Sequence, residues 1–253
     1  MEPTDAAIAI AGPLGAVAGA TFYFSPQSTA RAEAIGIDAV TLYAAGRGAV
    51  LGEATTAEVD DTFFFFRPGM IAGLVEAGRR TATVPVLLAA HLAAADDFAL
   101  ATFGTIGGGV LRGFDSVAAT VVVGLPTGVW PLVDGYRAAP VPDEPMASAF
   151  RRAILLRELR GGVHREAVAG AGLSAAVACQ LDRGDDYFLL HGYGDEHRVA
   201  DTPDVRAAKA AAEEATNTRM GELLAVLDGP GLDALVAGAV AMDEAWRAPV
   251  PIS

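Results

Sequence analysis

The residues best equipped for chemistry lie in 146–166, MASAFRRAILLRELRGGVHRE, which gathers Arg151, Arg152, Arg157, Arg160 and Arg165 in an otherwise acidic chain. On a helix, Arg157, Arg160 and His164 fall in one sector, at spacings i, i+3 and i+7. Guanidinium groups grip carboxylate, phosphate or sulfate in a bidentate fork, which makes that sector a candidate anion site. The bland reading stands beside it: the same arginines pair with the protein's own carboxylates, because a buried cation left alone costs several kcal/mol.

A second candidate stretch is 60–68, DDTFFFFRP, whose four consecutive phenylalanines cannot all face one way in a regular element. They read either as core packing or as the apolar wall of a pocket anchored by Arg47 and Arg67. The expected wall residues are Phe64 and Phe66, with Tyr43 one turn before Arg47 and Trp130 in the Pro- and Gly-rich segment 125–131. Glu158, His164, Asp60 and Asp61 are the candidate general acids or bases. Such a site suits cyclisation, isomerisation or elimination of an anionic leaving group, with arginines stabilising the developing charge. No metal or cofactor is expected: HExxH, GxSxG and the glycine-rich phosphate loops are absent, and 192–197 is a faint metal candidate. His91, on an apolar stretch, reads as a hydrogen-bonded core histidine.

The elements that must position these groups follow from composition and punctuation. A chain of 253 residues with 52% hydrophobic and 19% charged residues buries a sizeable core, as one large domain or two. Its net charge of −13 repels phosphate backbones and anionic membranes unless cations cluster locally, so neither nucleic acid nor membrane is expected as a partner. Cys179 is the only cysteine, which excludes an intrachain disulfide and suits a reducing compartment. Glu2 and Asp5 stand where a secretion signal needs basic residues, and the expected location is cytoplasmic.

Helical periodicity covers most of the chain. Expected helices include 6–20 with a break at Pro13, a short one opened by Ser25-Pro26 and ended by Gly36, and 38–48 carrying Tyr43 and Arg47. A capping box at Thr55 and Glu58 opens the segment leading to the phenylalanines. Helices over 69–80 and 84–103 follow, then a glycine-rich loop over 104–115 that marks the boundary between regions 1–110 and 111–253. The arginine helix is expected to open with Asp143 as its cap and Glu144 and Pro145 in its first turn, and to end at Gly161-Gly162. Short helices at 163–169 and 173–181, a brief strand at 187–190, and two last helices from Pro203 and Leu232 complete a mainly α fold.

The order Tyr43-x-x-x-Arg47-x-x-x-Leu51-Gly52, Thr62-Phe63-x-x-Phe66-x-Pro68, Gly124-Leu125-Pro126, Leu156-Arg157-Glu158-x-Arg160-Gly161-x-x-His164 and Ala171-Gly172-Leu173 resembles an actinobacterial family of helix-turn-helix-like proteins. The resemblance spans roughly residues 19–220. It implies a helical N-terminal half, a degenerate winged-helix-like C-terminal half with few short strands, and a regulator's role. Phe65, Arg67 and Gly162 depart from that family's pattern, which has polar or acidic groups there. The helix that would read DNA is 174–181, where Gln180 is the one suitable side chain, bordered by Asp182, Arg183, Asp185 and Asp186. That border weighs against base reading.

Three readings follow. The first is an enzyme of secondary metabolism acting on a small anionic molecule, as families of this kind imply. The second is a ligand-responsive winged-helix-like regulator with weak or lost DNA binding. The third is a noncatalytic subunit, since Ala- and Gly-rich helices suit a homo- or hetero-oligomeric interface.

Overall fold

The computed structural model describes residues 1–182 and 184–248, and among these it has helices and no strand. Arg183, expected beside the DNA-reading helix, lies outside the described residues. Helix α1 (Pro3–Ala16) runs straight through Pro13, and the chain leaves helical geometry at Gly19, inside a π-helical turn Val17–Thr21. A proline within a helix loses one hydrogen bond, and burial of Ala6, Ala7, Ile10 and Leu14 keeps this one continuous. Helix α2 (Pro26–Glu33) is capped by the Ser25 hydroxyl, and α3 (Ala39–Thr41), capped by Asp38, passes into a second π-helical turn, Leu42–Gly46.

Helix α4 (Thr56–Thr62) opens on the expected capping box. It is followed by α5 (Met70–Thr81), α6 (Val84–Thr102), α7 (Gly108–Gly124) and α8 (Pro131–Ala138). The long α9 (Pro145–Gly170) leads to α10 (Ala175–Asp182), α11 (Asp185–Leu190), α12 (Pro203–Leu224) and α13 (Gly229–Arg247).

Besides the break expected at Pro13, other expectations change. The loop expected over 104–115 is short, because α7 begins at Gly108. Residues 187–190 belong to a helix, with Asp185 and Asp186 in the first turn where carboxylates favour a helix start. With no strand among the described residues, the hairpin that would make a wing is missing there. The arginine helix is capped by Glu144, which accepts from the Ala147 amide, rather than by Asp143, and it does not end at Gly161-Gly162 but continues to Gly170.

Helix α9 is the central element. It buries Phe150, Ala153, Ile154, Leu155, Leu156, Leu159 and Val163 round its circumference, and α1, α6, α7, α8 and α12 all pack against it. Each large apolar side chain removed from water contributes about 1.5–3 kcal/mol. Helix α1 also packs on α12 and α13, so the main core cluster draws residues from both sides of the expected boundary at residue 110. Two stretches are long and apolar enough to cross a membrane by length and composition, Pro3–Glu33 and Val84–Thr102. Ile10, Val17, Phe98 and Ala99 of these stretches lie in that core cluster.

Candidate functional site

The π-helical turn Leu42–Gly46 sits hard against α6. A Cβ on Gly46 would come within 2.9 Å of the His91 Cβ and 3.3 Å of the Leu87 carbonyl oxygen, so only glycine allows the approach. That turn aims Tyr43 and Arg47 at α9. The Arg47 guanidinium donates through Nε to Glu158 Oε1 (2.8 Å) and through Nη2 to Oε2 (2.6 Å), a bidentate fork. Arg157 Nη1 donates to Oε1 at 2.9 Å, and the Tyr23 hydroxyl reaches the same oxygen at 3.4 Å. Arg47 also donates to the Tyr43 hydroxyl and lies over the Phe63 ring, 4.1 Å from its centroid.

The structure thus joins Tyr43, Arg47, Arg157 and Glu158 in one closed cluster. The Glu158 side chain is 1% exposed and that of Arg157 29%. Burial pushes the Glu158 carboxyl up, but Arg47 and then Arg157 outweigh it and hold the group at about 2. Glu158 is therefore an anion throughout the neutral range, fully occupied by its donors. Burial, and next the Glu158 charge, raise the Tyr23 phenol. Beside the cluster, His91 Nε2 shares a 2.6 Å hydrogen bond with the Tyr136 hydroxyl, and burial with the nearby Arg151 and Arg47 charges lowers His91 to about 3. His91 is the core histidine its surroundings in the sequence suggest.

Arg160 and His164 turn to a different neighbour, α12. Arg160 donates to Asn217 Oδ1 (2.9 Å) and Glu213 Oε2 (3.4 Å), while His164 Nδ1 meets the Thr216 hydroxyl at 2.9 Å. Burial lowers the His164 imidazole despite Glu213, and Glu213 itself is bound by Lys209. Phe65 stacks on His164 with centroids 5.5 Å apart.

The remaining candidates disperse. Asp60, in α4, satisfies the start of α5 from outside that helix, accepting from the Gly69 and Ala72 amides at 2.8 and 2.9 Å. Asp61 accepts from Arg165, which lies over the Phe64 ring. Arg67 is exposed, and its amide donates to the His191 carbonyl at 2.8 Å. Phe66 stacks on His191 and meets Tyr43 at a tilt, and Trp130 Nε1 donates to Glu166 at 2.9 Å. Tyr23, Tyr136 and the α12 groups Glu213, Thr216 and Asn217 escape sequence reasoning. Tyr23 had a signal in its aromatic turn; the α12 residues lie in an Ala-rich helical stretch that singles none of them out.

Two cavities border these clusters. One of about 50 Å³ is lined by Phe65, His164, Ala178, Cys179, Asp182 and Tyr187, and one of about 10 Å³ lies beside Arg151 and Arg152. A cavity needs roughly 10–15 Å³ of such space to hold one water, so the first has room for a few water molecules. Among the described residues no group of three or more His, Cys, Asp or Glu is placed to hold a metal ion.

The helix pair α10–α11 differs from the expected reader. Ala176, Val177, Ala178 and Cys179 of α10 are buried, and the Gln180 amide is spent on the backbone of Val199, accepting from its N–H (3.0 Å) and donating to its carbonyl (2.9 Å). The exposed helix of the pair is α11.

Neither a curated protein nor a solved structure matches the chain. A family model described as a helix-turn-helix family matches residues 10–198, most of the chain. That match overturns the expectation that nucleic acid is not a partner, which rested on net charge and on the side chains of 174–181, because a helix-turn-helix family carries possible nucleic-acid binding with it. By this match over the π-helical turns, the Glu158 cluster and the α10–α11 pair, the chain belongs to the helix-turn-helix family.

Proposed function

We propose that this chain is a helix-turn-helix regulator, working by contact with DNA at its surface rather than by turnover in a pocket. The observation that carries this reading is the closed state of Glu158: its carboxylate oxygens are taken by Arg47, Arg157 and Tyr23, so the carboxylate at the centre of the cluster is held as a structural anion rather than presented as a base. The family match supports it from the side of sequence. An enzyme acting on an anionic metabolite draws less support, since cavities of about 50 and 10 Å³ do not seat one. A cytoplasmic location fits a regulator.

Selection from a random duplex library by the immobilised chain, followed by sequencing, tests the proposal. The expected result is an enriched sequence bound on the order of 10³-fold more tightly than its scrambled version, with affinity falling as salt rises. Enrichment of no sequence even at low salt overturns it.

A further inference from the structure

Helix α11 presents an unusual outer face. At 100° per residue, Asp185, Leu189, Asp186 and Leu190 share an arc of about 140°. Leu189 and Leu190 are 56% and 53% exposed, while Phe188 on the opposite side is fully buried. The face is held firmly from behind. Phe188 stacks on Tyr193 at 5.3 Å, His191 at the helix end stacks on Phe66 at 4.4 Å, and the Arg67 amide bonds the His191 carbonyl. The two leucines are thus displayed by a braced element, so little order need be gained when they are covered.

Charge sets what covers them. Residues 184–199 hold Asp185, Asp186, Asp195 and Glu196 against the single guanidinium of Arg198. Arg198 is already shared between Asp185 (2.8 Å) and Asp195 (2.9 Å) and lies over the buried Phe188 ring. Base and phosphate readers place Arg, Lys, Asn or Gln on such a face. This one repels a phosphate backbone and complements a cation, and the chain's net charge of −13 steers cationic partners towards it.

We propose that the outer face of α11 is a docking surface for a basic amphipathic helical segment of a partner protein, its apolar side chains covering Leu189 and Leu190 and its arginines or lysines meeting Asp185 and Asp186. The inference goes beyond the regulator reading and holds whether or not another surface binds DNA.

The probe is a labelled synthetic helical peptide with leucines on one face and arginines flanking them, titrated with the full chain by fluorescence anisotropy. A counterpart with glutamate in place of arginine, and a random-sequence DNA duplex, serve as controls. The arginine peptide is expected to bind, to weaken at least tenfold in the Leu189→Ser/Leu190→Ser variant and severalfold in Asp186→Asn, and to weaken with salt. Glu222→Gln/Asp233→Asn, which removes two exposed carboxylates elsewhere, should leave it unchanged. Because the substituted side chains are exposed, circular dichroism should be unaltered. Equal weakening in both sets of variants would reduce the effect to net charge and overturn the proposal. So would equal binding of the glutamate peptide, or an α11 variant that loses DNA in place of the peptide.

Discussion

Replacing Glu158 by glutamine keeps its shape and removes its charge, leaving Arg47 buried without a counter-ion. Breaking a buried pair from one side costs about 3–5 kcal/mol, whereas removing both partners in Arg47→Met/Glu158→Leu should cost less than either single change. Urea denaturation of the parent, Arg47→Met, Glu158→Leu and the double variant checks this, and an additive double variant would show that the pair is not a unit. The pH dependence separates two groups. His91 is held near 3 against an ordinary 6.5, so the unfolded chain binds the extra proton. Stability is therefore full above 6.5 and declines as pH falls from 6.5 towards 3, by up to about 1.4 kcal/mol per unit for one proton. Glu158, held near 2 against 4.5, contributes stability that is full above 4.5 and lost as pH falls towards 2. Denaturation midpoints measured from pH 7 to 4.5 should slope less in His91→Gln than in the parent, and an unchanged slope would remove His91 as the source. In the sequence these residues were visible as chemistry but not as a pair, since 111 positions separate Arg47 from Glu158. Nothing in the periodicity of either stretch tells an inward arginine which carboxylate it will meet.

At the scale of elements, Gly161 and Gly162 give opposite expectations from neighbouring positions on one helix. A Cβ at Gly161 meets nothing within 4 Å, so Gly161→Ala should stabilise α9 by about 0.5–1 kcal/mol through helix propensity alone. A Cβ at Gly162 would sit 2.5 Å from the Trp130 ring, so Gly162→Ala must displace the indole and its bond to Glu166, at a cost of about 1–3 kcal/mol. Thermal melts of the two variants should shift in opposite directions. A parallel shift would mean the helix bends freely at both sites. The contrast explains what was legible in the fold. Caps announced themselves locally, as at Ser25, at Thr55 with Glu58, and at Thr202-Pro203, because the group that satisfies a helix end lies within three residues of it. Breaks did not. Gly161-Gly162 read as a stop and became a seat for Trp130, while Pro13 read as a break and was overridden by burial. Residues 187–190 read as a strand and formed a helix under the same tertiary override.

The whole molecule is closed by the meeting of its two ends, since α1 packs on α12 and α13 while all three border the cluster centred on α9. Residues on both sides of position 110 therefore lose their apolar contacts together. Helices α10 and α11 stand apart in this respect, because they rest on smaller clusters around Cys179, Phe188, Tyr193 and Val168. Local opening is governed by how much apolar contact a segment must give up, so this helix pair should open at a lower free energy than the body. Hydrogen exchange at increasing urea resolves the two levels. The amides of α1, α6, α9, α12 and α13 should lose protection at one common denaturant concentration, and those of α10 and α11 at a lower one. Loss of α1 and α6 before α9, α12 and α13 would divide the chain near residue 110 instead. If α10–α11 instead exchanged only with the rest, the pair would have to be part of the same cooperative core, and a partner docked on α11 would stabilise the entire chain rather than the pair alone.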